Sequence, residues 1–245
     1  MTSDGRPRLN ELGQPVGAPV PGWQGAERPP RTAMTGRYCR VEPIDPARHA
    51  EDLYRANALD PSQRNFTYLA VGPFDSFEAY RAWMVSAVAS EDPLWLAIVD
   101  TASGKAVGVA TFMRIDPRNG AIEVGNLNFS PLLQRKPAAT EAMYLMMKRA
   151  FELGYRRYEW KCDSLNAPSR ATAQRLGFSY EGIFRQASVY KDRSRDTAWY
   201  AMIDSEWPEL DKAFRRWLDP ANFDAQGRQR DRLSELTAPV LKQRG

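Results

Sequence analysis

Apolar residues change their period along the chain, and each change marks an element. "DPARHAEDLYRANA" opens on Asp45 as a helix N-cap with Pro46 at the first helical position, where its missing N–H is no loss. "SFEAYRAWMVSAVAS" (76–90) follows Ser76, a second N-cap, with Phe77, Tyr80, Trp83, Met84 and Ala87 on one face of a helix. The segment between them, "NFTYLAVGPF", reads as a short helix or a loop. From residue 94 the period falls to two. "LWLAIVD", "AVGVATFMRI" and "AIEVGNLNF" (94–100, 106–115, 121–129) predict three antiparallel strands, with Asn119-Gly120 as a hairpin turn. "GRYCRVEPI" (36–44) alternates in the same way. Helical spacing returns with Met143, Met146, Met147, Ala150 and Phe151, after a start at Pro137 and before an end near Gly154. A strand (157–165), a short helix with Gly177 as its C′ residue, and a strand pair (178–191, 196–205) complete the pattern.

The resulting order, β-α-α-β-β-β-α-β-α-β-β, predicts one α/β domain at 36–205. Residues 1–35, rich in Pro and Gly and without periodicity, form an extended arm. Trp207, Leu210, Phe214 and Trp217 recur at helical spacing, so 206–245 is a helix and a polar tail; that helix packs on the domain or on a second copy, and a homodimer is one expectation.

Composition narrows the chemistry. A net charge of +4, with cations and anions interleaved, gives no patch for a nucleic acid. No apolar run reaches the ~20 residues of a membrane span, and the first residues lack a signal peptide's apolar core, so a cytoplasmic protein is expected. Cys39 and Cys162, both in apolar runs, make neither a disulfide framework nor a zinc cluster. The only histidine, His49, reads as a polar-face residue of the first helix. Multi-histidine metal sites are excluded and no metal is expected; acid–base work falls to carboxylates, hydroxyls or water.

One stretch concentrates donors, charge and small side chains at a helix start. Gln134, Arg135 and Lys136 precede Pro137, and Ala138, Ala139 and Thr140 follow. A helix N-terminus attracts anions through its free N–H groups and its dipole, so this end suits a pyrophosphate.

Three features in register resemble the GCN5-related N-acetyltransferase (GNAT) superfamily, in its branch of ribosomal-protein and small-amine acetyltransferases. Gln134-Arg135-Lys136-Pro137-Ala138-Ala139 is similar to the family's phosphate loop, with Pro137 where Gly is favoured. Asn166 through Gly177-Phe178 matches its second motif. Glu123, eleven residues ahead of Gln134, matches its central-strand glutamate. The resemblance implies a mixed sheet of about seven strands flanked by helices, splayed between the fourth and fifth. It implies acetyl-CoA as co-substrate and an amine acceptor, either a small molecule or a protein N-terminus. Carried over position by position, Gln134 to Thr140 cradle the pyrophosphate. Leu127, Asn128 and Phe129 pair with the pantetheine arm, Gly125 is the point of interruption, and Asn166 hydrogen-bonds the arm.

Amine acylation needs a base for the ammonium and an acid for the leaving thiolate. Glu123 is the base or a cross-strand salt-bridge partner. Ser169 is the acid, in place of the Tyr that Ala173 replaces, or a helix-capping hydroxyl. Glu181 binds or deprotonates the amine, or faces solvent. The rival reading is a non-catalytic acyl-CoA-binding or scaffold protein of the same fold, which the proline in the loop and the absent Tyr favour. For the acceptor pocket the candidates are aromatic: Tyr68, Trp83, Phe184 and Tyr190.

Overall fold

The computed structural model describes residues 8–245; residues 1–7 of the arm lie outside the described residues. The strands, in chain order, are β1 (Arg8–Leu9), β2 (Pro15–Val16), β3 (Met34–Thr35), β4 (Cys39–Pro43), β5 (Leu94–Asp100), β6 (Ala106–Asp116), β7 (Ala121–Phe129), β8 (Arg157–Asp163), β9 (Ser179–Tyr190) and β10 (Arg193–Ile203). The helices are α1 (Pro46–Ala58), α2 (Phe77–Val88), α3 (Pro137–Glu152), α4 (Ala167–Arg175), α5 (Trp207–Leu218) and α6 (Leu233–Thr237). β1 and β2 pair in the arm, and the other eight form one sheet in the order β3-β4-β5-β6-β7-β8-β10-β9. All its pairs are antiparallel except β7 with β8.

The eighth strand, β3, was not expected, because two residues are too few to show an alternation. It lies in the arm and pairs Met34 with Val41 and Thr35 with Arg40. The arm also bonds to the domain through Trp23 Nε1, which donates to the Arg118 carbonyl (2.8 Å), and through the Ala26 and Glu27 amides, which donate to Pro117 and Leu153. Residues 64–66 form a single 3₁₀ turn, between the two readings given for that segment.

Helix starts follow their local signals. Asp45 accepts from the Ala47 amide and Ser76 from the Ala79 amide, and Pro137 stands at the head of α3. α3 buries Met143, Met146, Met147 and Ala150 with Ile122, Val124, Tyr158, Trp160 and Phe178 on one face of the sheet. α5 packs on its own domain, with Leu210, Phe214 and Trp217 buried in that same core. α1 and α2 cover only the β5–β6 part of the opposite face, through Leu53, Tyr80, Met84, Trp95 and Val109. The β7–β8–β10 part of that face therefore lies beside the helices.

Two buried polar anchors fix these layers. Glu141 on α3 accepts the amides of Arg37, Tyr38 and Cys39 at 2.8, 2.6 and 2.8 Å, and Gly36 is required because any Cβ there would overlap the carboxyl group. His49 is buried, against its reading as a polar-face residue. Its Nδ1 accepts the Asp45 amide (3.0 Å), so Nε2 carries the proton and donates to Glu42 (2.9 Å). Burial holds its pKa below the ordinary value even though Glu42 favours the charged form.

Candidate active site

β7 and β8 run parallel from Ala121↔Arg157 to Val124↔Trp160, and there the pairing stops although both strands continue. The cause is a bulge. Against β6, Asn128 pairs with Val109 but Gly125 pairs with Thr111, so β7 carries one extra residue, and Asn126 adopts a left-handed φ of 50°. Gly125 lies between the last paired residue and the bulge, where a Cβ would overlap the Met113 sulfur. Residues 125–129, including Leu127, Asn128 and Phe129, thus have a strand neighbour on the β6 side alone.

The loop after β7 folds tightly on itself. Ser130 donates its amide and hydroxyl to the Val107 carbonyl, while the Leu133 and Gln134 amides donate to Ser130 and the Lys136 amide to Leu133. Gln134 Nε2 ties back to the Phe129 carbonyl (2.7 Å). Arg135 takes a left-handed φ of 61°, a conformation that persists only where surroundings enforce it. The amides of Arg135 and Ala138 remain without a partner inside the loop, beside the exposed side chains of Arg135 and Lys136 and the positive end of the 16-residue α3. Thr140 belongs elsewhere: it is buried, and its hydroxyl accepts from Arg175 (3.1 Å), joining α3 to α4.

On the β8 side of the splay, Asn166 caps α4, its Oδ1 accepting the Ser169 amide (3.2 Å). The cap is thus Asn166 and not Ser169. The Ser169 hydroxyl accepts from Trp160 Nε1 (3.0 Å), which fixes it beside the last residue of β8 that still pairs with β7.

Below the splay, on the face that α1 and α2 leave uncovered, charges alternate. Glu123 is opposite Glu159 in register, and Lys161 Nζ lies 2.9 Å from Glu123 and 2.7 Å from Glu159. Arg114 Nε reaches the same Glu123 oxygen at 3.0 Å. Both cations stand off the direction of a hydrogen bond, so that buried oxygen, Oε2, has no directed donor. Burial raises the Glu123 pKa, against Lys161 and Arg114, which lower it. Lys161 also sits 3.8 Å over the Trp199 ring, and Trp199 packs on Phe184. Glu181 is held by Arg157 through two contacts (2.8 and 2.5 Å) at the start of β8, four residues before Lys161; the structure does not bring it to the splay.

The splay is bridged from above. Asn65 donates to Asn128 Oδ1 (2.6 Å), Tyr68 to the Leu165 carbonyl, and Lys191 and Arg193 at the β9–β10 turn donate to the carbonyls of Phe66 and Thr67, each at 2.8 Å. Tyr190 donates to Asp163 (2.9 Å) at the end of β8. Trp83 packs among Phe74, Tyr80 and Trp95. Sequence reasoning missed Lys161 and Glu159, although the charges at every second position of "RYEWKCD" mark them; nothing local marks Asn65, Lys191 or Arg193. Among the described residues no group of three or more His, Cys, Asp or Glu side chains is arranged to hold a metal ion, and no helix is long and apolar enough to cross a membrane.

Comparison with known proteins agrees with this geometry. A GNAT structure from Brucella melitensis superposes with a TM-score of 0.87 at 45% identity, covering 89% of this chain and all of that one. A probable GNAT-family acetyltransferase from Chromobacterium violaceum gives 0.74 at 42% identity, over 80% of this chain and 98% of that one. The ribosomal-protein-serine acetyltransferase of Escherichia coli (strain K12) is 32% identical over 102 residues, 41% of this chain; the match spans 56% of that protein's length. Residues 40–179 match the family model described as acetyltransferase (GNAT) domain. A family model that covers more than half of the chain, on a fold shared with these acetyltransferases, shows that the chain belongs to the GNAT acetyltransferase family.

Proposed function

We propose that the chain transfers an acetyl group from acetyl-CoA to a primary amine by direct attack, with both substrates bound together. The observation that carries this reading is the one-sided backbone of residues 125–129, opened by the bulge directly between the phosphate-type loop and the buried Glu123. The free Arg135 and Ala138 amides, the α3 dipole and the two cations suit a pyrophosphate. The open β7 edge suits an amide-bearing arm that adds like a strand, with the Asn166 amide group as a further donor. When bound, acetyl-CoA supplies the activated thioester.

Glu123 takes the proton from the acceptor ammonium, directly or through a water, since burial has moved its pKa toward working pH. A backbone N–H at 127–129 polarises the acyl carbonyl. Ser169, oriented by Trp160, returns a proton to the departing thiolate. A cysteine acyl-enzyme has no support, because Cys39 and Cys162 are buried and burial raises both thiol pKa values. The test is thiol release from acetyl-CoA across amine classes, from protein N-termini to small amines, with Glu123→Gln in parallel. Amine-dependent release that falls about 10²-fold in the variant is expected. Tight acetyl-CoA binding with no thiol release from any amine would instead favour a non-catalytic acyl-CoA-binding protein.

A further inference from the structure

Beside the bridge over the splay, an open, solvent-facing cavity of about 370 Å³ lies between the segment 61–73 and the β9–β10 turn. Its polar lining is Ser62, Gln63, Thr67, Lys191 and Arg193, with no carboxylate. Phe66 lines it and also lines a smaller pocket that reaches Asn126 and Asn128 in the open part of β7, so the two spaces share one wall. The turn that carries its lysine is unusual. Lys191 and Asp192 both adopt positive φ (48° and 57°), the two-residue hairpin geometry that Asn-Gly serves without strain. Backbone strain of this kind gathers at working sites, and here it directs a lysine into the cavity. Lys191 donates to the Phe66 carbonyl and, at 3.5 Å, to the Val71 carbonyl, which leaves one ammonium hydrogen. Arg193 spends Nη2 on Thr67, which leaves its Nη1 and Nε donors. Burial and the neighbouring Arg193 lower the Lys191 pKa, and no carboxylate among the described residues pairs with it.

We propose that this cavity binds an anionic group, carboxylate or phosphate, on the acceptor, so that the substrate is an amine whose other end is negatively charged. This rests on the transfer reaction above and names its substrate class. The experiment compares glycylglycine with glycylglycinamide, and phosphoethanolamine with ethanolamine, by kcat/KM and by calorimetric binding to the full chain in the presence of coenzyme A. An anionic member preferred at least tenfold is expected, and the pair that shows it identifies the anion. Lys191→Met with Arg193→Gln should bring that ratio toward one, and Lys191→Arg should keep it. Equal binding of the charged and neutral members by the wild type overturns the proposal. So does a double variant that weakens both members alike, which marks a structural latch, or one that raises KM for acetyl-CoA, which assigns the cations to the coenzyme. If no amine is acetylated, the reaction reading fails, while calorimetry still decides the anion site.

Discussion

Lys161 is the residue whose removal best tests the chemistry at Glu123. Its side chain is 5% exposed and touches both register-paired carboxylates. At 2.9 Å and an effective dielectric near 20 the bare Coulomb attraction to Glu123 is about 6 kcal/mol, and desolvation of the ammonium takes back several of these. Lys161→Met removes the largest influence that holds the Glu123 pKa down, leaving burial and the facing Glu159 carboxylate, which raise it, opposed by Arg114. The sign is therefore upward. A base works only when deprotonated, so the rising limb of the kcat/KM–pH profile should shift to higher pH. Activity lost at neutral pH should return in alkaline buffer, with the melting temperature recorded to exclude unfolding. A limb that stays in place, with activity lowered equally at every pH, would remove Glu123 as the titrating base.

Reversing Arg135 and Lys136 to Glu should weaken acetyl-CoA binding at least tenfold, about 1.4 kcal/mol by calorimetry; wild-type affinity would reduce the loop to a helix start. Ser169→Ala should lower kcat by about 10- to 100-fold, and the deficit should shrink with a thioester of lower thiol pKa; a constant deficit would leave reprotonation to water. Gly36→Ala forces the Glu141 carboxyl group off three amides, and since each such bond contributes about 1.5–3 kcal/mol, urea unfolding should show a loss of about 3 kcal/mol or more. A loss under about 1 kcal/mol would mean the clamp relaxes freely. His49 has a lowered folded pKa, so the unfolded chain takes the proton first; its stabilisation is present above the unfolded value of about 6.5 and is lost as pH falls below it. The melting temperature should drop more from about pH 7.5 to 5.5 in the wild type than in His49→Gln, and equal drops would contradict this.

What the sequence disclosed divides by distance along the chain. Helix starts at Asp45, Ser76 and Pro137, the Asn119-Gly120 turn and the apolar face of α3 depend on neighbours within a turn or two, and all were legible. The donor-rich start of α3 was legible because its charges and small residues sit beside one another. The splay was anticipated only through family resemblance. Its local cause, the left-handed Asn126, leaves no mark, since Asn is tolerated there without the glycine that would announce it. Long-range pairs were illegible for a different reason, since no local pattern joins residues so far apart. Glu141 meets residues 37–39 across more than 100 positions, and Lys191 meets Phe66 across 125. Glu123 shows the consequence for function. Its spacing ahead of Gln134 named it, but its state depends on Lys161 and Glu159, which reach it only because β8 lies parallel to β7 in that register. Pairing carried on to Phe129 would close the open edge, and pairing that stopped before Glu123 would part it from the strand that sets its charge. The bulge ends the pairing just past Val124, so the open edge beyond it and the paired Glu123 before it both follow from a single count, two residues of β7 (126 and 127) against one of β6 (110).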